Sequence, residues 1–290
     1  PRRLVGEVFN EEKMLIRYLE TKDRGAIFHL YFNRLILSYL FGEYSQAVAN
    51  AFMAEQHLDG VTALLVVPLF YFYDSLAYLA VFQQIRPVKR PRVLKKITAN
   101  QKKLQKWAHH APMNHLHKFY LVEAELNRVL GKEQEAREYY DQAIALAHQH
   151  EYLNEEALAY ELTGKFYWGR QQTQLASYYL RNAHYAYSRW GALAKVEELE
   201  TQYEQIFNKL ESFPSTMFTT RATLTTKATI STGGTTSKIL DLASVLKASQ
   251  AISGEIVLPR LLEKLMTIVI ENAGAKQGCL LLNNQGQWGI

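Results

Sequence analysis

Apolar residues in the middle of the chain recur at helical spacing, and one glycine divides them into two runs. Before Gly131 they fall at Phe119, Val122, Leu126, Val129 and Leu130; after it they fall at Ala136, Tyr140, Ala143, Ile144 and Ala147. Both runs follow the i, i+3, i+4, i+7 pattern of a helix with one buried stripe, which predicts a two-helix hairpin over residues 114–150. Gly131 stands where a helix C-terminus commonly takes a residue tolerant of positive φ. Ala136 and Ala143 share a face and let two helix axes approach closely, while Tyr139 and Tyr140 fill the space beside them.

The same arrangement recurs on either side. A helix is expected from Ala26 to Phe41, with Ile27, Leu30 and Leu37 among its apolar positions. Gly42 then precedes Ala47 by the interval that separates Gly131 from Ala136, so 43–57 reads as a second helix. Downstream, Leu158, Leu162 and Phe166 build one helix ended by Gly169, and Ala176, Tyr179, Ala183 and Trp190 build its partner. The pairs Ala136/Ala176, Tyr139/Tyr179 and Ala143/Ala183 repeat at 40 residues. This is the packing logic of a tetratricopeptide-type hairpin, with a period longer than the standard of about 34 but within the range of two-helix solenoids. A short helix at Glu11–Leu19 precedes the stack. A last helix carrying Leu193, Val196, Leu199, Tyr203, Ile206 and Leu210 would cap it, with Lys195, Glu197, Glu198 and Glu200 on its solvated face. The expected fold is mainly α, a helical-hairpin solenoid over residues 1–211.

Three stretches within it invite other readings. Val61–Phe82 is 22 residues long with Asp74 as its only charge, long enough for a membrane span. Pro68, Asp74 and Ser75 are awkward in hydrocarbon, and a helix sandwiched between neighbours is also apolar nearly all round; a buried helix is the expectation and a span the alternative. From Arg86 to Lys106 nine basic residues occur without an acid: Arg86, Lys89, Arg90, Arg92, Lys95, Lys96, Lys102, Lys103 and Lys106. Such a run can meet phosphates or an anionic surface, but Trp107 is the only aromatic residue nearby and base stacking would need more. A solvated helix face after a Pro87/Pro91 turn is the expectation, an acidic protein or domain partner comes next, and no nucleic acid is expected. Finally, His109, His110, His115 and His117 crowd around Pro112. No Cys or carboxylate joins them, as structural zinc usually requires, so an inter-repeat loop is expected rather than a metal site.

The character of the chain changes after residue 211. Between 212 and 237, fourteen of 26 residues are Ser or Thr with no acid, which predicts a linker over 212–238. Beyond it, residues 239–252 and 258–272 carry amphipathic helical patterns, with Pro259 tolerable in a first turn. Residues 276–283 read as a strand and Asn284-Gln285-Gly286 as a turn into Trp288. Helix, helix, strand, turn, strand is the opening of an α+β sensor domain over 239–290. The chain starts at Pro-Arg-Arg-Leu and stops inside a strand, so both ends read as cut from something longer.

Composition adds bounds rather than chemistry. Apolar residues make up 48% and aromatics 12%, which argues against global disorder, and the formal charge is a modest +5. A single cysteine, Cys279, excludes an internal disulfide framework and fits a reducing, cytoplasmic setting. Hydrolase elbows, zinc-protease helices, complete phosphate loops, dinucleotide fingerprints and protein-kinase motifs are all absent from the sequence. Cys279 lies in a predicted strand and reads as core. Glu155/Glu156 and Glu197/Glu198 read as solvated pairs. No catalytic, cofactor-binding or metal residue is assigned.

Several longer segments carry a family resemblance. They are Gly6-Glu7-Val8-Phe9-Asn10-Glu11-Glu12-Lys13-Met14, the apolar run from Asp59 to Pro68, and Gln105-Lys106-Trp107-Ala108-His109-His110-Ala111-Pro112-Met113-Asn114-His115-Leu116-His117-Lys118-Phe119. To these add Glu155-Glu156-Ala157-Leu158-Ala159-Tyr160-Glu161-Leu162 and the stretch Leu242–Ile256. They resemble the large hybrid signalling kinases best known from cyanobacteria, which combine a Ser/Thr kinase domain, an AAA-type ATPase, helical repeats, a GAF sensor domain and a histidine kinase. The resemblance implies that residues 1–211 are the repeat region and 239–290 the start of the GAF domain. It implies ATP as cofactor of the parent polypeptide but none for this segment, and no catalytic residue within it. It further implies a protein partner or neighbouring domains of the same polypeptide, homodimer packing through the 239–273 helices, and no membrane contact.

Overall fold

The computed structural model describes residues 4–6, 9–207, 282–284 and 287–289. The chain divides into two compact units, Pro1–Met217 and Phe218–Ile290, each treated by itself. In the first, the described residues form eleven α-helices in succession: α1 Glu11–Glu20, α2 Arg24–Leu40, α3 Tyr44–Glu55, α4 Val66–Ala80, α5 Arg90–His110, α6 Pro112–Val129, α7 Glu133–Gln149, α8 Leu153–Trp168, α9 Thr173–Trp190, α10 Leu193–Gln202 and α11 Glu204–Phe207. No strand occurs among the described residues of this unit. In the second unit, β1 Leu282–Asn284 pairs antiparallel with β2 Gln287–Gly289, Leu282 facing Gly289. Asn284 therefore belongs to the strand and not to the turn the sequence suggested. The linker at 212–238 and the two helical patterns beyond it lie outside the described residues, as does Cys279.

One turn is used six times. Lys22, Gly42, Gly131, Glu151, Gln171 and Gly191 all have φ between +53° and +82°. Each closes the helix before it, and the next residue sends its N–H back to a carbonyl five positions earlier. These bonds run from Asp23 to Tyr18 (3.0 Å), Glu43 to Ser38 (2.8 Å), Lys132 to Asn127 (2.9 Å), Tyr152 to Ala147 (2.9 Å), Gln172 to Tyr167 (3.1 Å) and Ala192 to Tyr187 (3.0 Å). This is the Schellman closure, in which a left-handed residue lets the chain reverse while the last carbonyls stay bonded. From Gly131 onward it recurs every 20 residues, as it does between Lys22 and Gly42. The 40-residue period of the sequence is thus two equal half-periods, each a helix and its turn. Gly169 ends α8 as expected, but in a right-handed conformation (φ −61°), and Gln171 takes the left-handed position two residues later.

Consecutive helices pair most closely as α2 with α3, α6 with α7 and α8 with α9, and the even-numbered helices from α2 to α8 also pack on one another. The small residues of the odd-numbered helices permit this: Ala47, Ala51, Ala54, Ala136, Ala143, Ala176 and Ala183 are all buried. Gly164 of α8 faces Leu180 so closely that an added Cβ would stand 2.6 Å from its Cγ. Three expected core residues fall outside the core, Leu130 at 47%, Trp190 at 45% and Leu193 at 66% exposure. All lie at helix ends beside the turns, where the stripe has rotated off the partner.

The apolar stretch of 61–82 is broken. Val61 ends a 3₁₀ turn, Ala63 is left-handed, and α4 begins only at Val66. Fifteen residues at 1.5 Å each span about 22 Å, short of a hydrocarbon core of roughly 30 Å. Among the described residues no helix is long and apolar enough to cross a membrane. Phe70, Tyr71, Phe72, Tyr73, Leu76, Ala77 and Leu79 are buried against helices on several sides, which accounts for the unbroken hydrophobicity.

Two substitutions check this architecture. Gly164→Ala should lower unfolding free energy by about 1–3 kcal/mol through overpacking against Leu180. Gln171→Gly should raise it by about 1 kcal/mol, because glycine adopts the left-handed turn without the Cβ penalty. Urea denaturation followed by circular dichroism measures both, and a Gly164→Ala protein as stable as the parent would contradict the close α8–α9 approach.

Candidate binding cleft

Helix spacing sets the cleft. On α8, Glu161, Leu162, Lys165 and Phe166 lie on one face; on α6, Glu125 and Arg128 are one turn apart. With Tyr39 from α2, Tyr44 from α3 and Ala80 from α4, all of these except Glu161 line a cavity of about 210 Å³. Glu161 is almost fully buried, and burial alone would push its carboxyl pKa upward. Lys165 and Lys195 reverse this, with hydrogen bonds from Lys165 and Tyr187, and hold it at about 2. Oε1 of Glu161 accepts from Lys165 at 2.7 Å and from Lys195 at 3.0 Å; Oε2 accepts from the Tyr187 hydroxyl at 2.6 Å. Lys195 also donates to the Leu40 carbonyl at 2.7 Å and pairs with Glu198. One ammonium group thus joins α10 to α8 and to the end of α2, 155 positions away in the chain.

A second pair stands across the cavity. Arg128 grips Glu125 through Nε and Nη2, the latter at 2.6 Å, and the Tyr140 hydroxyl donates to the same carboxylate. Glu125 dominates the surroundings of Arg128 and raises its pKa further. Tyr39 is buried with its hydroxyl unpartnered. Burial and then the nearby Glu125 charge push that hydroxyl well above its usual range, so it stays protonated.

Two further polar clusters sit away from the cleft. In the first, Lys118 is 3.3 Å from Glu155, donates to the Asn114 carbonyl at 3.0 Å, meets Nε2 of His117 at 2.9 Å and lies 4.2 Å from the centre of the Tyr152 ring. Burial, then Lys118, drives the His117 pKa down to about 2, so the imidazole is neutral. In the second, buried Asp74 pairs with Lys96 at 3.0 Å and accepts from Asn100 at 2.7 Å. Burial raises its pKa, with Lys96 and Asn100 pulling the other way.

These contacts correct several sequence readings. Lys195, expected on a solvated face, is 2% exposed because three acceptors surround it. Glu155 and Glu156, expected in solvent, are both buried, as α8 turns its first turn toward α6 and α7. Glu197 is exposed as expected, whereas Glu198 is half-buried against Lys195. The histidines do not share a loop: His109 and His110 end α5, Pro112 is the first residue of α6, and only Ala111 intervenes. Among the described residues no group of three or more His, Cys, Asp or Glu could hold a metal ion. The basic run is solvated at most positions: Arg86, Lys89, Arg92, Lys95, Lys102, Lys103 and Lys106 are exposed, whereas Arg90 donates to the carbonyls of Gln83 and Ile85 and Lys96 pairs inward with Asp74. The charged cleft residues carried no sequence signal, since an isolated Glu or Lys on a helix reads as surface.

Comparison with known proteins gives one local similarity. Over 64 residues the chain is 38% identical to the hybrid signal transduction histidine kinase G of Dictyostelium discoideum. The match takes in 22% of this chain and 2% of that protein. No family model matches the chain, and no solved structure does.

Two measurements follow. Lys195→Ala leaves Glu161 with one cation fewer and the Leu40 carbonyl unbonded; breaking a buried pair in this way should cost about 3–5 kcal/mol in urea unfolding. His117 is neutral when folded and titrates near its ordinary 6.5 when unfolded, so unfolding takes up a proton below that pH. The sign is a loss of stability on acidification, about 2 kcal/mol between pH 7.5 and pH 5. His117→Gln should flatten that part of the stability–pH curve, and an unchanged slope would contradict the burial of the ring.

Proposed function

We propose that residues 1–211 are a tetratricopeptide-like solenoid acting as a non-catalytic interaction and relay segment of a multidomain signal-transduction kinase. The observation that carries this is the 64-residue similarity to a hybrid histidine kinase. The paired helices and the recurrent 20-residue turn support the solenoid part, since stacked helix pairs offer an extended surface to a partner. In this reading the array docks a protein or a neighbouring domain of the same polypeptide in the cytoplasm. The segment from 239 begins a GAF-like sensor, whose first helices would pair in a homodimer, and ATP belongs to kinase and ATPase parts elsewhere in the polypeptide.

Extending the reading frame from both ends tests the proposal. Kinase and ATPase motifs upstream and a histidine-kinase domain downstream are expected; a frame without any kinase domain would refute the relay reading. The 290-residue chain incubated with labelled ATP should neither transfer nor hydrolyse phosphate, and measurable turnover would place activity in the segment itself.

A further inference from the structure

The hydrogen-bonding capacity left over in the α2–α4–α6–α8 cleft is one-sided. Both oxygens of Glu125 are taken by Arg128 and Tyr140, and both oxygens of Glu161 by Lys165, Lys195 and Tyr187. Every carboxylate oxygen there already accepts a hydrogen bond, whereas several donors are unspent. The Tyr39 hydroxyl, on a residue 3% exposed, has no partner at all. Arg128 spends Nε and Nη2 on Glu125 and leaves its Nη1 edge unused. Lys165 makes one short bond to Glu161 and only a long contact of 3.4 Å with the Tyr44 hydroxyl. A buried polar group without a partner is costly, and natural structures seldom tolerate one without a reason.

Charge points the same way. Of the charged residues that line the cavity, two are cations, Arg128 and Lys165, and one is a carboxylate, Glu125; Glu161 stands behind Lys165, and Lys195 lies outside the cavity, paired with Glu161 and Glu198. The remaining walls, Ala80, Leu162 and Phe166, are hydrocarbon. Side chains of Arg128 and Lys165 keep 29% and 25% exposure, so the cavity is reached from solvent. Its volume of about 210 Å³ falls below the roughly 300–1,000 Å³ usual for drug-sized ligands, which restricts the occupant to a few heavy atoms.

We propose that this cleft binds a small monocarboxylate, its carboxyl group held by Tyr39, Arg128 and Lys165 and its short hydrocarbon stem against Leu162 and Phe166. A phosphate dianion brings more charge than the one spare cation balances and has no stem for the apolar wall. A neutral amide of the same shape lacks the charge. The site would make the helical array a sensor of a small metabolite acid in its own right. It stands apart from the signalling reading, which the flanking sequence tests and this cleft does not.

Calorimetry and thermal unfolding of the 290-residue chain, titrated at constant ionic strength with straight-chain carboxylates from acetate to octanoate, test the proposal. Saturable binding that strengthens to an intermediate chain length and weakens beyond it is expected, with butyramide and inorganic phosphate giving no saturable response. Tyr39→Phe removes an unpartnered buried hydroxyl and should fold at least as well as the parent, yet bind butyrate about tenfold more weakly. Absence of saturable carboxylate binding, an equal response to butyramide, stronger binding of phosphate, affinity rising without limit through octanoate, or unchanged affinity in Tyr39→Phe would each overturn it.

Discussion

A carboxylate buried between helices must be paired, and Glu161 takes its partners from three successive helices. Lys165 comes from its own helix, Tyr187 from α9 and Lys195 from α10, while Lys195 also reaches the last carbonyl of α2. Each contact is worth little unless the others are made, because a single missing partner leaves charge uncompensated in a poorly solvated place. The arrangement of α2, α8, α9 and α10 is therefore one decision rather than four. Apolar packing supplies the bulk of the cohesion, but apolar surfaces slide; hydrogen-bonded charges specify where they stop.

The turns provide the complementary constraint along the chain. A left-handed residue and its returning hydrogen bond leave the backbone few ways to continue, so every hairpin built this way presents its second helix at a similar angle. Where the turn is absent, regularity fails. Between α3 and α4 a 3₁₀ turn and left-handed Ala63 intervene, and α5 passes into α6 through the single non-helical residue Ala111. The α4–α5 pair is the irregular middle of an otherwise periodic molecule, and it is also where the longest buried aromatic run, Phe70 to Tyr73, is found.

Much of the architecture was legible from residue type. Gly131 and Gly42 marked their turns because glycine at a helix end has few other uses, and Ala136, Ala143, Ala176 and Ala183 marked close helix contacts because larger side chains could not fit. The turns at Glu151 and Gln171 were not legible, since these residues bear the left-handed strain without advertising it. The polar interior was hidden for a related reason. Lys195, Glu161, Glu155 and Lys118 are each compatible with a solvated helix face, and only the meeting of distant helices turns them inward. Periodicity reports which face of a helix is apolar; it is silent about charges that find partners from elsewhere in the chain.

The bond from Lys195 to the Leu40 carbonyl has a mechanical consequence. A row of hairpins joined only to their neighbours behaves as a chain of hinges, in which small rotations at each junction accumulate from one end to the other. Tying the far end of that row to its beginning turns the chain into a closed linkage, where a rotation at one junction must be cancelled at the rest. Force applied through α11 and α10 is then delivered directly to the end of α2 instead of being dissipated hairpin by hairpin. One ammonium group sets whether the array behaves as a spring or as a frame.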